Sequence, residues 1–152
     1  MALAHPSLRA DVEELAPDLA VVEGQTWDLV AAADLVLVAS GSASLETALL
    51  GRPMIICYRL SGLSYAIARL LVRVPFIGMP NLILGQEAVP ELIQAEVTPE
   101  RIGEEARRIL ENPDLAARME ADLARVRAML GESGAAVRAA TIAADMLFVR
   151  PS

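Results

Sequence analysis

The residues richest in chemistry in this 152-residue chain lie in one short run, Val38-Ala39-Ser40-Gly41-Ser42-Ala43-Ser44-Leu45-Glu46. The run begins apolar, turns through small residues and continues with helical spacing. Gly41 would let a ligand approach the main chain, and the N–H groups of Ser42, Ala43 and Ser44 at a helix N-terminus would attract an anion such as a pyrophosphate. Ser42 and Ser44 add hydroxyl donors. Glu46, one turn further on, is spaced to accept both hydroxyls of a ribose ring, as the acid of a dinucleotide site does. The same spacing fits a plain helix start as well, with Ser42 as the cap and Glu46 complementing the dipole.

A second cluster spans residues 79–94, an apolar stretch bracketed by Pro80 and Pro90 whose polar members are Asn81, Glu87, Glu91 and Gln94. It reads as a loop just beyond the carboxyl end of a strand at 74–78, where open parallel sheets bind ligands. The Asn81 amide both donates and accepts, which suits a base edge or a sugar hydroxyl. A spacing of three puts Glu91 and Gln94 on one face of a short helix over 90–94, as part of a site or as a solvated face.

Other chemistries are excluded. The single His5 has no Ser or Cys motif around it, so no nucleophilic triad forms. One His and one Cys cannot make a structural zinc site, and no metal is implied. Cys57 lies in a buried strand pattern and reads as inert core; alone, it makes no intramolecular disulfide and suits a reducing compartment. Trp27 reads as packed on the sheet. A net charge of −7 argues against nucleic acid as a partner. With 55% apolar residues the chain has a real core to bury rather than a disordered composition. No basic stretch leads into an apolar one at the N-terminus, and every apolar run is broken before the roughly 18 residues a membrane span needs. The expectation is a cytoplasmic protein, neither exported nor membrane-spanning.

The elements that would position these residues follow from the apolar pattern. Nearly continuous apolar runs at 19–22, 34–39, 54–58 and 74–78 predict strands buried on both faces. Between them lie helices at 26–33 with Thr26 as N-cap, at 43–50 closed by Gly51 and Pro53, and at 61–72. Strand alternating with helix predicts an α/β fold with a parallel, right-handed crossover sheet. After Gly78 the strand signal stops. Helices follow at 98–110, 114–130 and 135–148, the first two announced by Thr98-Pro99 and Asn112-Pro113, a cap residue before a first-turn proline. Residues 1–4 read as a strand remnant and 6–15 as the helix after it, so the expectation is a chain that opens inside a βα unit. The expected division is a Rossmann-like domain over 1–111 and carboxyl-terminal helices over 112–152, packed on it or on a partner. Leu115, Met119, Leu123, Val126 and Leu130 form an apolar stripe that, left uncovered, would promote self-association into a homodimer.

Charge is unevenly placed. Between Glu46 and Glu87 there is no acid, while Arg52, Arg59, Arg69 and Arg73 fall there, so this stretch carries +4 and the remainder −11 of the total −7. A basic apolar helix over 61–72 could meet an anionic membrane surface or a phosphorylated lipid through Tyr58, Arg59, Arg69 and Arg73. It could equally be a helix packed on the sheet whose arginines reach water.

Several blocks together resemble a known family. Ser40-Gly41-Ser42-Ala43-Ser44-Leu45-Glu46, Leu50-Gly51-Arg52-Pro53-Met54, Tyr58-Arg59-Leu60-Ser61, Ala68-Arg69-Leu70-Leu71-Val72, Val74-Pro75, Pro80-Asn81-Leu82, Gly85 with Glu87, and Val89-Pro90-Glu91-Leu92 with Gln94 occur in the order found in the carboxyl-terminal half of lipid-A-disaccharide synthase. The likeness is continuous from about residue 31 to 102. It implies one half of a two-domain GT-B glycosyltransferase, in which UDP-2,3-diacylglucosamine and 2,3-diacylglucosamine 1-phosphate give the lipid A disaccharide and UDP. This half would bind the donor, with Ser40, Gly41, Ser42, Ala43 and Ser44 along the diphosphate, Glu46 at the ribose, and Asn81 and Glu87 in the loop that meets the nucleotide sugar. UDP-sugar is then a substrate and no cofactor is implied. The basic stretch would serve a membrane surface, on the inner face of the inner membrane. Two departures stand out: Ser42 and Ser44 replace the usual Thr and keep the hydroxyls, whereas Gln86 stands where Arg is common and removes a charge. The amino-terminal domain, where the resemblance places the acceptor pocket and the base, and the Gly-Ser-Arg loop of this half have no counterpart here, so the chain is not expected to catalyse alone. A non-catalytic nucleotide-binding or assembly module is the alternative; a dinucleotide binder ranks below both, since no Gly-x-Gly-x-x-Gly is present.

Overall fold

A computed structural model of the chain describes residues 1–2, 6–39, 41–61, 75–131 and 134–148. A 3-10 turn at Pro6–Leu8 leads into α1 (Arg9–Leu15), followed by α2 (Thr26–Ala31), β1 (Val36–Ala39), α3 (Ser42–Leu49) and β2 (Met54–Tyr58). Then come α4 (Met79–Leu84), β3 (Glu91–Ile93), a 3-10 turn at Gln94–Glu96, α5 (Pro99–Leu110), α6 (Pro113–Leu130) and α7 (Ala135–Phe148). The three strands form a parallel sheet in the order β1-β2-β3, with Val38 opposite Ile56 and Cys57 opposite Leu92. The fold is α/β, Rossmann-like, with helices flanking the sheet and closing the chain.

β2 is the spine because its apolar run does not alternate. Met54, Ile55 and Ile56 are all fully buried, as a central parallel strand covered on both faces requires. Around them Val38, Ala48, Val89, Leu92, Ile109, Met119, Leu123 and Val126 make one core. α3 packs on β1 and β2, and α6 packs on α3, α4 and α5. The first peptide N–H of β2, on Met54, donates to the Met119 thioether at 3.4 Å, which ties α6 to the strand. Thr98 accepts from the Arg101 N–H at 3.3 Å and Asn112 from the Leu115 N–H at 3.1 Å, so α5 and α6 begin where their caps and prolines predict.

The structure corrects several expectations. Residues 75–78 are not a strand, and the third strand is Glu91–Ile93, where a helix was expected. Val22 joins Ala2 in a single parallel bridge rather than a strand over 19–22. Residues 79–84 are a helix and not a loop, with Pro80 in its first turn and Gly85 at φ 66 closing it. Gln25, not Thr26, precedes α2, and Trp27 stands 53% exposed rather than packed on the sheet. Met119, Leu123 and Val126 of the expected stripe are buried in this chain's own core and Leu115 packs against it, because α6 covers α3, α4 and α5, whereas Leu130 at the end of α6 is 41% exposed. The expected helix at 61–72 falls outside the described residues apart from Ser61, and so do Ser40, Arg69 and Arg73.

Candidate functional site

β1 ends at Ala39 and the chain re-enters regular structure at Ser42 through Gly41, whose φ of 138° and ψ of −159° no residue with a Cβ adopts readily. The space a Cβ would occupy there is open to 4 Å. Gly41 precedes α3 with no side-chain cap on the helix, so Ser42 is not the cap. Gly41, Ser42 and Ala43 are exposed. Ser44 is different. It is fully buried, its hydroxyl donates to the Gly41 carbonyl at 2.7 Å, and its N–H makes the same turn at 3.1 Å. Its part is to hold the turn's shape, and the N–H groups turned outward are those of Ser42 and Ala43. Thr47, also buried, returns its hydroxyl to the Ala43 carbonyl at 2.9 Å.

Glu46 is half-buried and faces a groove of about 740 Å³. Ala39, Ala43 and Glu46 line one end of it, β1 forms its long wall, Trp27 and Val30 of α2 line it too, and Met1 and Ala2 stand across from the strand. The acid therefore lies at the carboxyl end of β1, beside the glycine turn and next to a hollow.

Asn81 and Glu87 do not join this group. Asn81 is fully buried, with Nδ2 donating to the Val89 carbonyl at 2.8 Å and to Glu91 Oε1 at 2.7 Å. Its Oδ1 accepts from the N–H groups of Ala88 at 2.8 Å and Val89 at 3.0 Å. Both donors and both lone pairs are used, which leaves nothing for a sugar or a base. Glu87 is exposed in the segment entering β3 at its amino end, and in a parallel sheet that is the opposite end from the turn after β1. The placement beyond a strand's carboxyl end rested on a strand at 74–78 that does not form.

Residues that sequence reasoning treated as one helix face prove to be anchors. The Glu91 carboxylate accepts from the N–H groups of Ile77 at 2.8 Å and Gly78 at 2.9 Å as well as from Asn81. Gln94, at φ 53, exchanges two hydrogen bonds with the Leu60 peptide, accepting its N–H at 2.6 Å and donating to its carbonyl at 3.2 Å. That exchange locks the segment after β2, which follows half-buried Tyr58 at the strand's end and carries exposed Arg59, to the segment after β3. The signal was present in the polar residues themselves, but without the third strand their partners could not be named. Among the described residues no three His, Cys, Asp or Glu side chains gather as a metal centre would need.

A parallel α/β sheet with helices on its faces and a glycine turn leading from a strand's carboxyl end into a helix places the chain in the Rossmann-like class of α/β domains. The family model described as "Lipid-A-disaccharide synthetase" matches residues 7–146, and the chain belongs to that family. It is 46% identical over 131 residues to the lipid-A-disaccharide synthase of Syntrophus aciditrophicus, a match that covers 86% of this chain and 34% of the relative. It is 44% identical over 127 residues to that of Myxococcus xanthus, covering 84% and 33%. With the Geobacter metallireducens protein it shares 40% over 141 residues, covering 88% and 37%. The chain thus spans about a third of the length of the curated relatives it matches.

Proposed function

We propose that this chain is the donor-binding part of a lipid-A-disaccharide synthase, a GT-B hexosyltransferase that joins UDP-2,3-diacylglucosamine to 2,3-diacylglucosamine 1-phosphate in lipid A biosynthesis. The observation that carries the reading is the open glycine turn at Gly41 with Glu46 beside a hollow. The outward N–H groups of Ser42 and Ala43 and the Ser42 hydroxyl receive the diphosphate, and Glu46 receives the ribose. Donors already held in place stabilise the charge that develops on the departing UDP, in the manner of an oxyanion hole. Ser44, Asn81, Glu91 and Gln94 keep the surrounding backbone in place without touching the donor. Lipid partners fit the basic stretch, with Tyr58 and Arg59 as its described members, and favour a peripheral position on the inner face of the inner membrane.

Titration of UDP against the purified chain tests this. Glu46→Ala is expected to weaken UDP at least about tenfold, the loss of a charged hydrogen-bond acceptor, with the melting temperature unchanged. NAD binding in place of UDP would defeat the proposal. The alternative reading is a nucleotide-binding or assembly module without catalysis. Disaccharide formation on co-expression with the remaining part of a relative separates the two: turnover supports the enzyme, and UDP binding without turnover supports the module.

A further inference from the structure

The segment that leaves β2 is held by a side chain standing in for a strand. β3 ends at Ile93, and Gln94 turns away from the sheet at φ 53, the one residue other than glycine at positive φ among the described residues. That conformation is costly for any residue with a Cβ and persists only where the surroundings favour it. Here the Gln94 amide gains both hydrogen bonds of the Leu60 peptide, at 2.6 and 3.2 Å, in place of the next rung of the sheet. Just upstream, Tyr58 pairs with Ile93 as the last rung of β2. Side chains alternate along a strand, so Tyr58 shares a face with Ile56. A Cβ on Gly78, which precedes α4, would collide with Ile56, so this is the face that α4 covers, and α3 packs on α4 as well as on β1 and β2. β1 ends at Ala39 opposite Cys57, one rung short of Tyr58, and its chain then turns through Gly41 into α3. The half-buried phenol therefore projects beside the start of α3, and its hydroxyl has no hydrogen-bond partner among the described residues.

We infer that the Tyr58 hydroxyl donates a hydrogen bond to the diphosphate of the nucleotide sugar, next to the N–H groups of Ser42 and Ala43, and that Gln94 is a positioning residue which acts through the Leu60 peptide to hold Tyr58 there. This rests on the nucleotide-sugar reading above and adds a contact from the second strand and a clamp from the third. A phenol hydroxyl is a good donor to an anionic oxygen, and a ring fixed before the ligand arrives loses little freedom on binding. Glu46 faces the groove beyond β1, away from β2, so the group that meets both the turn and Tyr58 is the diphosphate and not the ribose. The nucleotide sugar itself carries acyl chains, so Tyr58 at its diphosphate stays within the stretch that meets lipid.

UDP and uridine titrated against the purified chain and three variants test this. Tyr58→Phe removes one hydroxyl and keeps the ring, so it is expected to weaken UDP about tenfold and to leave uridine unchanged. Gln94→Gly takes φ 53 without strain and deletes the clamp. It is expected to leave the chain folded, to speed exchange of the Leu60 amide at least about tenfold, and to weaken UDP about tenfold. The double variant carries the decision. Because Gln94 acts through Tyr58, the two losses overlap, and Tyr58→Phe with Gln94→Gly is expected to weaken UDP about tenfold in all rather than about a hundredfold. Losses that multiply would make the clamp purely structural and overturn the inference. UDP affinity indifferent to either single substitution overturns it as well, and so does an equal weakening of uridine by Tyr58→Phe. A wild-type chain that takes no UDP would overturn the nucleotide-sugar reading and this inference together, whereas a chain that binds UDP, loses it on Glu46→Ala and ignores Tyr58→Phe overturns this inference alone.

Discussion

Asn81 shows how much one buried amide can hold. It bonds Ala88, Val89 and Glu91 from inside α4, and so joins that helix to the strand it precedes. Asn81→Ala strands three buried backbone groups of Ala88 and Val89, while Glu91 keeps its Gly78 bond, and is expected to cost about 3 kcal/mol, read from denaturant midpoints at unchanged m. Cys57 makes a different prediction. Burial pushes its thiol above the ordinary value, so the unfolded chain releases that proton first. Its contribution to stability is complete below the usual thiol range, about 8.5, and is lost as pH rises through the folded value. The alkaline fall in stability is expected to be shallower in Cys57→Ala. At this scale the turn was legible: Gly41 and Glu46 stand where their spacing says. The roles of Ser44 and Asn81 were not, because a hydroxyl or an amide written in a sequence does not reveal whether it points to a ligand or to its own backbone.

Among the elements, β2 and α7 have the bounds their patterns predict, since an unbroken apolar run or a long helical repeat is a local signal. β3 is three residues long and begins with a glutamate, so its pattern is too short to register. Its place comes from pairing with β2, and from Glu91 anchoring Ile77 and Gly78. Gly78 is required at that junction: a Cβ there would lie 2.3 Å from Ile56 Cδ1 and 3.0 Å from Glu91 Oε1. Ile56 is fully buried and has nowhere to go. Gly78→Ala is expected to cost about 1–3 kcal/mol, whereas Gly103→Ala, in α5 with nothing within 4 Å, is expected to stabilise by about 0.5–1 kcal/mol. Thermal unfolding of the pair gives the contrast directly.

Across the whole molecule, the division expected at 111/112 falls between two helices that pack on each other. α6 supplies Met119, Leu123 and Val126 to the core. Among its described side chains α7 supplies none of the core, and Val137 and Met146 on it are 69% and 76% exposed. Ending the chain at Gly131 is therefore expected to change unfolding free energy by no more than about 0.5 kcal/mol, measured by denaturation of both lengths. No helix among the described residues is long and apolar enough to cross a membrane.

The amino-acid sequence by itself determined the α/β class, the capped starts of α5 and α6, the glycine turn with its acid, and the family, because each of these is written in residues close together along the chain. Tertiary structure alone decided that Glu91–Ile93 is a strand, that Asn81 and Ser44 serve the backbone, and that Gln94 pairs with the Leu60 peptide. Those outcomes depend on which peptide and side-chain groups meet across long separations, and hydrogen-bond partners of that kind exist only once the core has closed.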